Sequence, residues 1–126
     1  MHKNNSFPSS LRNAINGLIS LVKHEKNPRY HLAATVLVVL VAAFLQLSIV
    51  EWVLLLVVIF LVWIAELFNT TFEYLYDLVK PEYDPLVKMG KDMSAAAVLL
   101  TAALSVIVGL LILGPALLRA LDLIPG

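Results

Sequence analysis

Three long apolar runs separated by short polar breaks set the frame of this chain. Residues 32–50 carry no charge, residues 52–72 carry a single acid, and residues 94–118 are again uncharged. About 20 apolar residues cross a hydrocarbon core of about 30 Å, so each run predicts a membrane-spanning helix. The expected spans are residues 31–48, 50–72 with the same helix continuing to 80, and 93–114. Ahead of them, residues 9–26 have a helical period of their own. Leu11, Ala14, Ile15, Leu18 and Val22 share one face, while Arg12, Asn13, Asn16, Ser20, Lys23 and His24 favour the other. This stretch is too short and too polar to span, and its basic polar face predicts a helix lying on the membrane surface. Ser9 or Ser10 is its expected cap, with residues 1–8 as a disordered lead-in. The pattern predicts an all-α membrane protein: one domain over residues 1–126, with a surface helix and three spans.

The breaks say how the helices connect. Asn27 and Pro28 end the surface helix, since the residue before a proline avoids the helical region. Arg29, Tyr30 and His31 read as an interfacial anchor, and His24 likewise as interfacial. Ser48 followed by Glu51 fits a capping box, and so tight a turn makes the first two spans an antiparallel hairpin. Pro81 ends the second helix, and Glu82, Tyr83, Asp84 and Pro85 form a short loop before the third. Ala95, Ala102, Ser105 and Gly109 make a small-residue seam suited to close helix packing in lipid. Gly114 and Pro115 are expected to end that helix, leaving a short hydrophobic tail.

Composition sharpens this picture. With 60% hydrophobic and 14% charged residues, the chain is too apolar for an ordinary soluble domain of its length. It has no cysteine, which excludes a disulfide framework, a thiol nucleophile and a structural zinc site. The N-terminus lacks the pattern of a signal peptide, so insertion rests on the spans. No P-loop is present, and nothing points to a nucleic-acid partner. Net charge is zero, but the charges are unevenly placed. Lys3, Arg12, Lys23, Lys26 and Arg29 precede the first span, Lys80, Lys88 and Lys91 lie between the second and third, and only Arg119 falls elsewhere. The positive-inside rule puts the N-terminus and the second loop in the cytoplasm.

Candidate chemistry is concentrated on the second helix. Glu66, Asn69, Thr70, Glu73 and Asp77 share one helical face, each within about 60° of Glu66 at 100° per residue. All around them are apolar or aromatic residues, and a carboxylate at membrane depth is costly enough to mark a functional site. Depth divides the roles. Glu66 falls about 10 Å inside the cytoplasmic boundary, where desolvation penalises the ionised form, which suits a group that accepts and releases a proton. Glu73 and Asp77, at the boundary and beyond, are placed to hold a divalent cation through oxygen, with Glu25 near the same level. Lys88, Lys91 and Arg29 supply positive charge for phosphates. The outer half of each span has no ionisable group apart from Glu51 at its edge. A channel or scaffold therefore explains the stripe less well than a cytoplasm-facing enzyme acting on something embedded in lipid.

The sequence Glu66-Leu-Phe-Asn69-Thr-Thr-Phe-Glu73, with Asp77, Glu82, Tyr83 and Lys91-Asp92-Met-Ser-Ala-Ala-Ala-Val, resembles the small prokaryotic diacylglycerol kinase family, which includes undecaprenol kinases. The likeness covers about residues 11–113, and Gly17 and Glu25 also match. It implies a homotrimer in the bacterial cytoplasmic membrane that transfers the γ-phosphate of ATP, with Mg²⁺, to a lipid hydroxyl. By the same resemblance Glu66 is the general base, and Glu25 and Glu73 ligate Mg²⁺ with Asn69 beside them. Glu82, Tyr83, Asp84, Lys91 and Asp92 contact the nucleotide together with Glu25 and Glu73, and Asp77 and Lys88 support the site. Asp84 stands where relatives often have histidine. Asp84-Pro85-Leu86 is more like the undecaprenol-kinase branch, with diacylglycerol as the other substrate implied.

Overall fold

The computed structural model describes residues 6–125. The expected lead-in over residues 1–5, including Lys3, lies outside them, as does residue 126. Four helices follow in order: α1 (Phe7–His24), α2 (Asn27–Phe44), α3 (Ile49–Val79) and α4 (Pro85–Ala120). The last three are long and apolar enough to cross a membrane, and the chain is an all-α membrane protein.

Helix α1 starts earlier than the serines suggest. Ser6 is the N-cap and Pro8 sits in the first turn, where its missing N–H costs nothing. Ser9 does not cap; its hydroxyl donates to the Ser6 carbonyl at 2.7 Å. The apolar stripe of α1 is also not its packing face. Leu11, Ile15 and Leu18 are exposed, and Leu21 is the side chain that buries. Gly17, Ser20, Leu21 and His24 face Leu67, Thr70, Thr71 and Tyr74 of α3. A surface helix has two apolar neighbours, the bilayer and the protein, and the stripe is left for the bilayer.

Pro28 does more than end α1: it is buried in the first turn of α2. Arg29 then reaches back, its Nε donating to the Val22 carbonyl at 2.9 Å and its Nη2 to that of Lys23. The guanidinium expected to meet phosphate is instead spent on the open carbonyls at the end of α1.

Helices α2 and α3 form the expected hairpin. Ser48 N donates to Glu51 Oε2 at 2.8 Å and Glu51 N to Ser48 Oγ at 3.3 Å, completing the capping box. The turn forces Gln46 to a φ of 49°, in the left-handed region. A side chain there costs about 1–2 kcal/mol. Gln46→Gly is therefore expected to stabilise the hairpin by about 1 kcal/mol, read as resistance to unfolding in a detergent titration.

Helix α3 packs mainly on α4. Ala42, Leu55 and Ile112 form the buried core near the hairpin turn, with Trp52 and Val108 against it. Contrary to expectation, Gly114 and Pro115 do not end α4, which runs on to Ala120. In a membrane helix a proline is tolerated when neighbours re-satisfy the freed backbone. Here Ala116 is buried just beyond it, and Arg119 reaches Glu51 at 3.2 Å, tying the continued turn to the start of α3. The small-residue seam also departs from expectation. Ala95 is exposed, and a side chain added at Gly109 would meet nothing within 4 Å. Gly109 and Ser105 instead line a cavity of about 80 Å³ whose other walls include His31, Thr35 and Val58.

Candidate functional site

The polar face of α3 lies at the end of the bundle opposite that core. Glu66 is only 2% exposed even within a single chain. Its Oε1 lies 2.9 Å from Nε2 of His31 on α2. That approach lacks the alignment of a hydrogen bond, and no other side chain among the described residues donates to Oε1. His31, read from the sequence as interfacial, is thus the charge partner of the buried acid. It has a geometric cause: residues equally far from a tight antiparallel turn face each other. Ala42 and Leu55 meet this way, as do Thr35 and Trp63, whose Nε1 donates to Thr35 Oγ1 at 3.2 Å. His31 and Glu66 are the next such pair.

One turn along, Asn69 bridges two helices. Its Oδ1 accepts from Ser94 Oγ of α4 at 2.8 Å, and its Nδ2 donates to Glu73 Oε1 at 3.4 Å. Asn69 therefore orients Glu73 while Ser94 orients Asn69. Ser94 was not among the expected site residues, though it lies in the Lys91-Asp92-Met-Ser stretch. Ser94→Ala removes an interhelical bond worth about 0.6 kcal/mol on average in membranes, and is expected to lower turnover a few-fold by freeing Asn69. Detergent unfolding and steady-state rate measured together would check both halves.

Glu25, in the link between α1 and α2, accepts from the Tyr74 hydroxyl at 2.7 Å. Glu73 is close enough to Tyr74 to act on it electrostatically, and Glu25 and Glu73 both act on Glu66 in the same way. Glu25 of the α1–α2 link and Glu73 of α3 thus both lie within electrostatic reach of Glu66, with Tyr74 holding Glu25. This donor set fits Mg²⁺, a hard ion that binds one or two carboxylates and fills its shell with water and phosphate oxygens. Among the described residues no group of three or more acids and histidines is gathered at ligand distance. Two carboxylates leave the remaining positions to a nucleotide.

The other expected residues are more dispersed. Asp77 is paired with Lys91 across α3 and α4. An exposed pair of this kind contributes about 0–1 kcal/mol, so Lys91 is held loosely enough to exchange its carboxylate for a phosphate. Lys88 and Asp92 pair with each other at 2.5 Å on the exposed side of α4. Asp84 caps α4, accepting from Leu86 N at 2.8 Å, and pairs with Lys80. The Lys80 ammonium holds the Asp84 carboxyl below its ordinary range, with the Leu86 amide adding to the effect. Glu82 and Tyr83 are exposed in the loop. Gly90 lets the Tyr76 ring lie on α4: a methyl there would run into the Tyr76 hydroxyl.

On the membrane side, α1, α2 and α3 enclose an apolar groove of about 800 Å³ open to lipid. Leu18 and Val22, Leu32 and Val39, and Phe60 and Trp63 form its three walls.

Residues 12–113 match the family described as prokaryotic diacylglycerol kinase. The undecaprenol kinase of Bacillus subtilis is 36% identical over 118 residues, spanning 92% of this chain and 96% of that protein. The diacylglycerol kinase of a Synechocystis species is 39% identical over 110 residues, 86% of this chain and 63% of that protein. The Escherichia coli K12 diacylglycerol kinase is 36% identical over 74 residues, 59% of this chain and 61% of that protein. No solved structure matches with comparable significance. A buried acid on a long apolar helix, with carboxylates and a lysine further along toward the helix end, is the equipment such an enzyme needs, and this chain belongs to the prokaryotic diacylglycerol kinase family of ATP-dependent membrane lipid kinases.

Proposed function

We propose that this enzyme is an undecaprenol kinase of the bacterial cytoplasmic membrane, with its N-terminus and active site facing the cytoplasm. The observation that carries the reading is the burial of Glu66 at membrane depth on the same helix face as Glu73. A primary alcohol on a long apolar body lies in the groove along α1–α3, and its hydroxyl meets Glu66, which takes the proton as the oxygen attacks the γ-phosphorus. Phosphoryl transfer needs little else than alignment and charge neutralisation. Glu25 and Glu73 hold Mg²⁺, which when bound neutralises the phosphate oxygens and fixes their orientation. Lys91 leaves Asp77 to meet the phosphates, and Asn69 keeps Glu73 turned toward them.

The undecaprenol preference rests on the Bacillus subtilis relative, matched over nearly its full length, and on Asp84-Pro85-Leu86. The Synechocystis relative favours diacylglycerol as the second reading. Three spans are too few to enclose nucleotide and lipid together, and Glu82 and Tyr83 are exposed in the loop; a homotrimer, sharing the site between subunits, supplies the missing wall. The test is lipid phosphorylation by purified protein in mixed micelles, using γ-labelled ATP with undecaprenol and diacylglycerol in parallel, with and without Mg²⁺. Faster label transfer to undecaprenol supports the proposal. Transfer to diacylglycerol alone replaces it with the second reading.

A further inference from the structure

The pair formed by His31 and Glu66 goes beyond this assignment of roles. Glu66 is buried, and among the described residues the His31 imidazole is the one basic group paired with it, Nε2 lying 2.9 Å from Oε1. Glu73 and Glu25 also act on Glu66, but with like charge. An unpartnered carboxylate in so dry a place is strongly disfavoured. His31 is itself fixed by the hairpin, on the turn of α2 before Thr35, which holds Trp63. Beneath the ring is the 80 Å³ cavity lined by Thr35, Ser105 and Gly109, so the imidazole has room to turn toward Oε1 and straighten a contact that is close but misaligned.

We infer that His31 is a positioning residue for phosphoryl transfer: its Nε2–H binds Glu66 Oε1, leaving Oε2 as the single oxygen presented to the lipid hydroxyl. This inference rests on the reading of Glu66 as the base. In the step it serves, the hydroxyl proton passes to Oε2, the lipid oxygen bonds to the γ-phosphorus, and the bond from that phosphorus to the β–γ bridging oxygen breaks with its electron pair leaving on ADP. The imidazole keeps its own proton throughout.

The experiment compares His31→Ala, His31→Gln and Glu66→Gln in the full-length protein with the micelle assay, measuring kcat and KM for ATP and for lipid. His31→Ala is expected to lower kcat on the order of ten- to a hundredfold, by analogy with the loss seen when hydrogen-bond partners of metal ligands are removed, with both KM values unchanged. Added imidazole, entering the enlarged cavity, restores part of that kcat, and His31→Gln, which keeps an N–H donor, is faster than His31→Ala. A merely structural role for His31 would show neither recovery. The inference is overturned if His31→Ala turns over like wild type, or if its loss responds neither to imidazole nor to glutamine. If His31→Ala does not fold, a kcat for His31→Gln no higher than that of Glu66→Gln overturns it. Should Glu66→Gln retain full turnover, the base reading fails first; should it be inactive while His31→Ala is fully active, only the role of His31 falls.

Discussion

Replacing Glu66 with glutamine is expected to lower phosphoryl transfer by about 10²–10⁴-fold, the usual worth of a positioned general base. The amide matches the carboxylate in size and still meets the His31 imidazole, so packing around this buried position is kept. What it cannot do is accept the hydroxyl proton. Glu73 lies about 10 Å further along the same helix, and so ATP–Mg²⁺ binding should be nearly unchanged. Single-turnover label transfer together with equilibrium nucleotide binding separates the two effects. Turnover at the wild-type rate would remove Glu66 from the chemistry, and loss of nucleotide binding along with turnover would move it to the nucleotide subsite.

The second large effect is expected at Glu73. In Glu73→Gln the position keeps its shape and its link to Asn69 but loses its charge, in a pair where each carboxylate matters because Mg²⁺ takes only one or two. The Mg²⁺ concentration for half-maximal activity should rise by at least about tenfold, the low end of what even outer partners of metal ligands produce. Rate is partly recovered at high Mg²⁺, since the phosphates bring ligands of their own. Chelating the metal is expected to abolish transfer in both proteins. A magnesium titration superimposable on wild type would exclude Glu73 as a ligand.

What could be read from the sequence depended on how local the cause was. The hairpin turn was legible because Ser48 and Glu51 carry their own capping geometry within four residues. The acidic face of α3 was legible because one helix sets its spacing. The course of α4 past Pro115 was not, because the support comes from Glu51 on another helix, which holds Arg119. Nor was the use of Arg29, whose partners are carbonyls of α1 that any sequence would have. His31 was the instructive miss. Beside Arg29 and Tyr30 it looks like one more interfacial residue, and only its reflection through the turn puts it on Glu66. Counting outward from the Ser48–Ile49 bond along both helices of the hairpin would have found it. Ser94 and Tyr74 escaped notice for a related reason: a hydroxyl carries no sign of its partner, and theirs lie on another helix and in the α1–α2 link.

Helix α3 spans residues 49–79 without a break, so it acts as a rigid ruler through the bilayer. On the roles proposed for them, Glu66 reads the depth of the lipid hydroxyl and Glu73 that of the phosphate, with a fixed interval of about 10 Å between the marks. Stretching or thinning the bilayer leaves that interval alone and changes only where water begins along it. Acyl-chain length in the surrounding membrane thus sets whether a headgroup hydroxyl floats level with the lower mark. Turnover should peak at one bilayer thickness and fall on either side, with the substrate chemically unchanged.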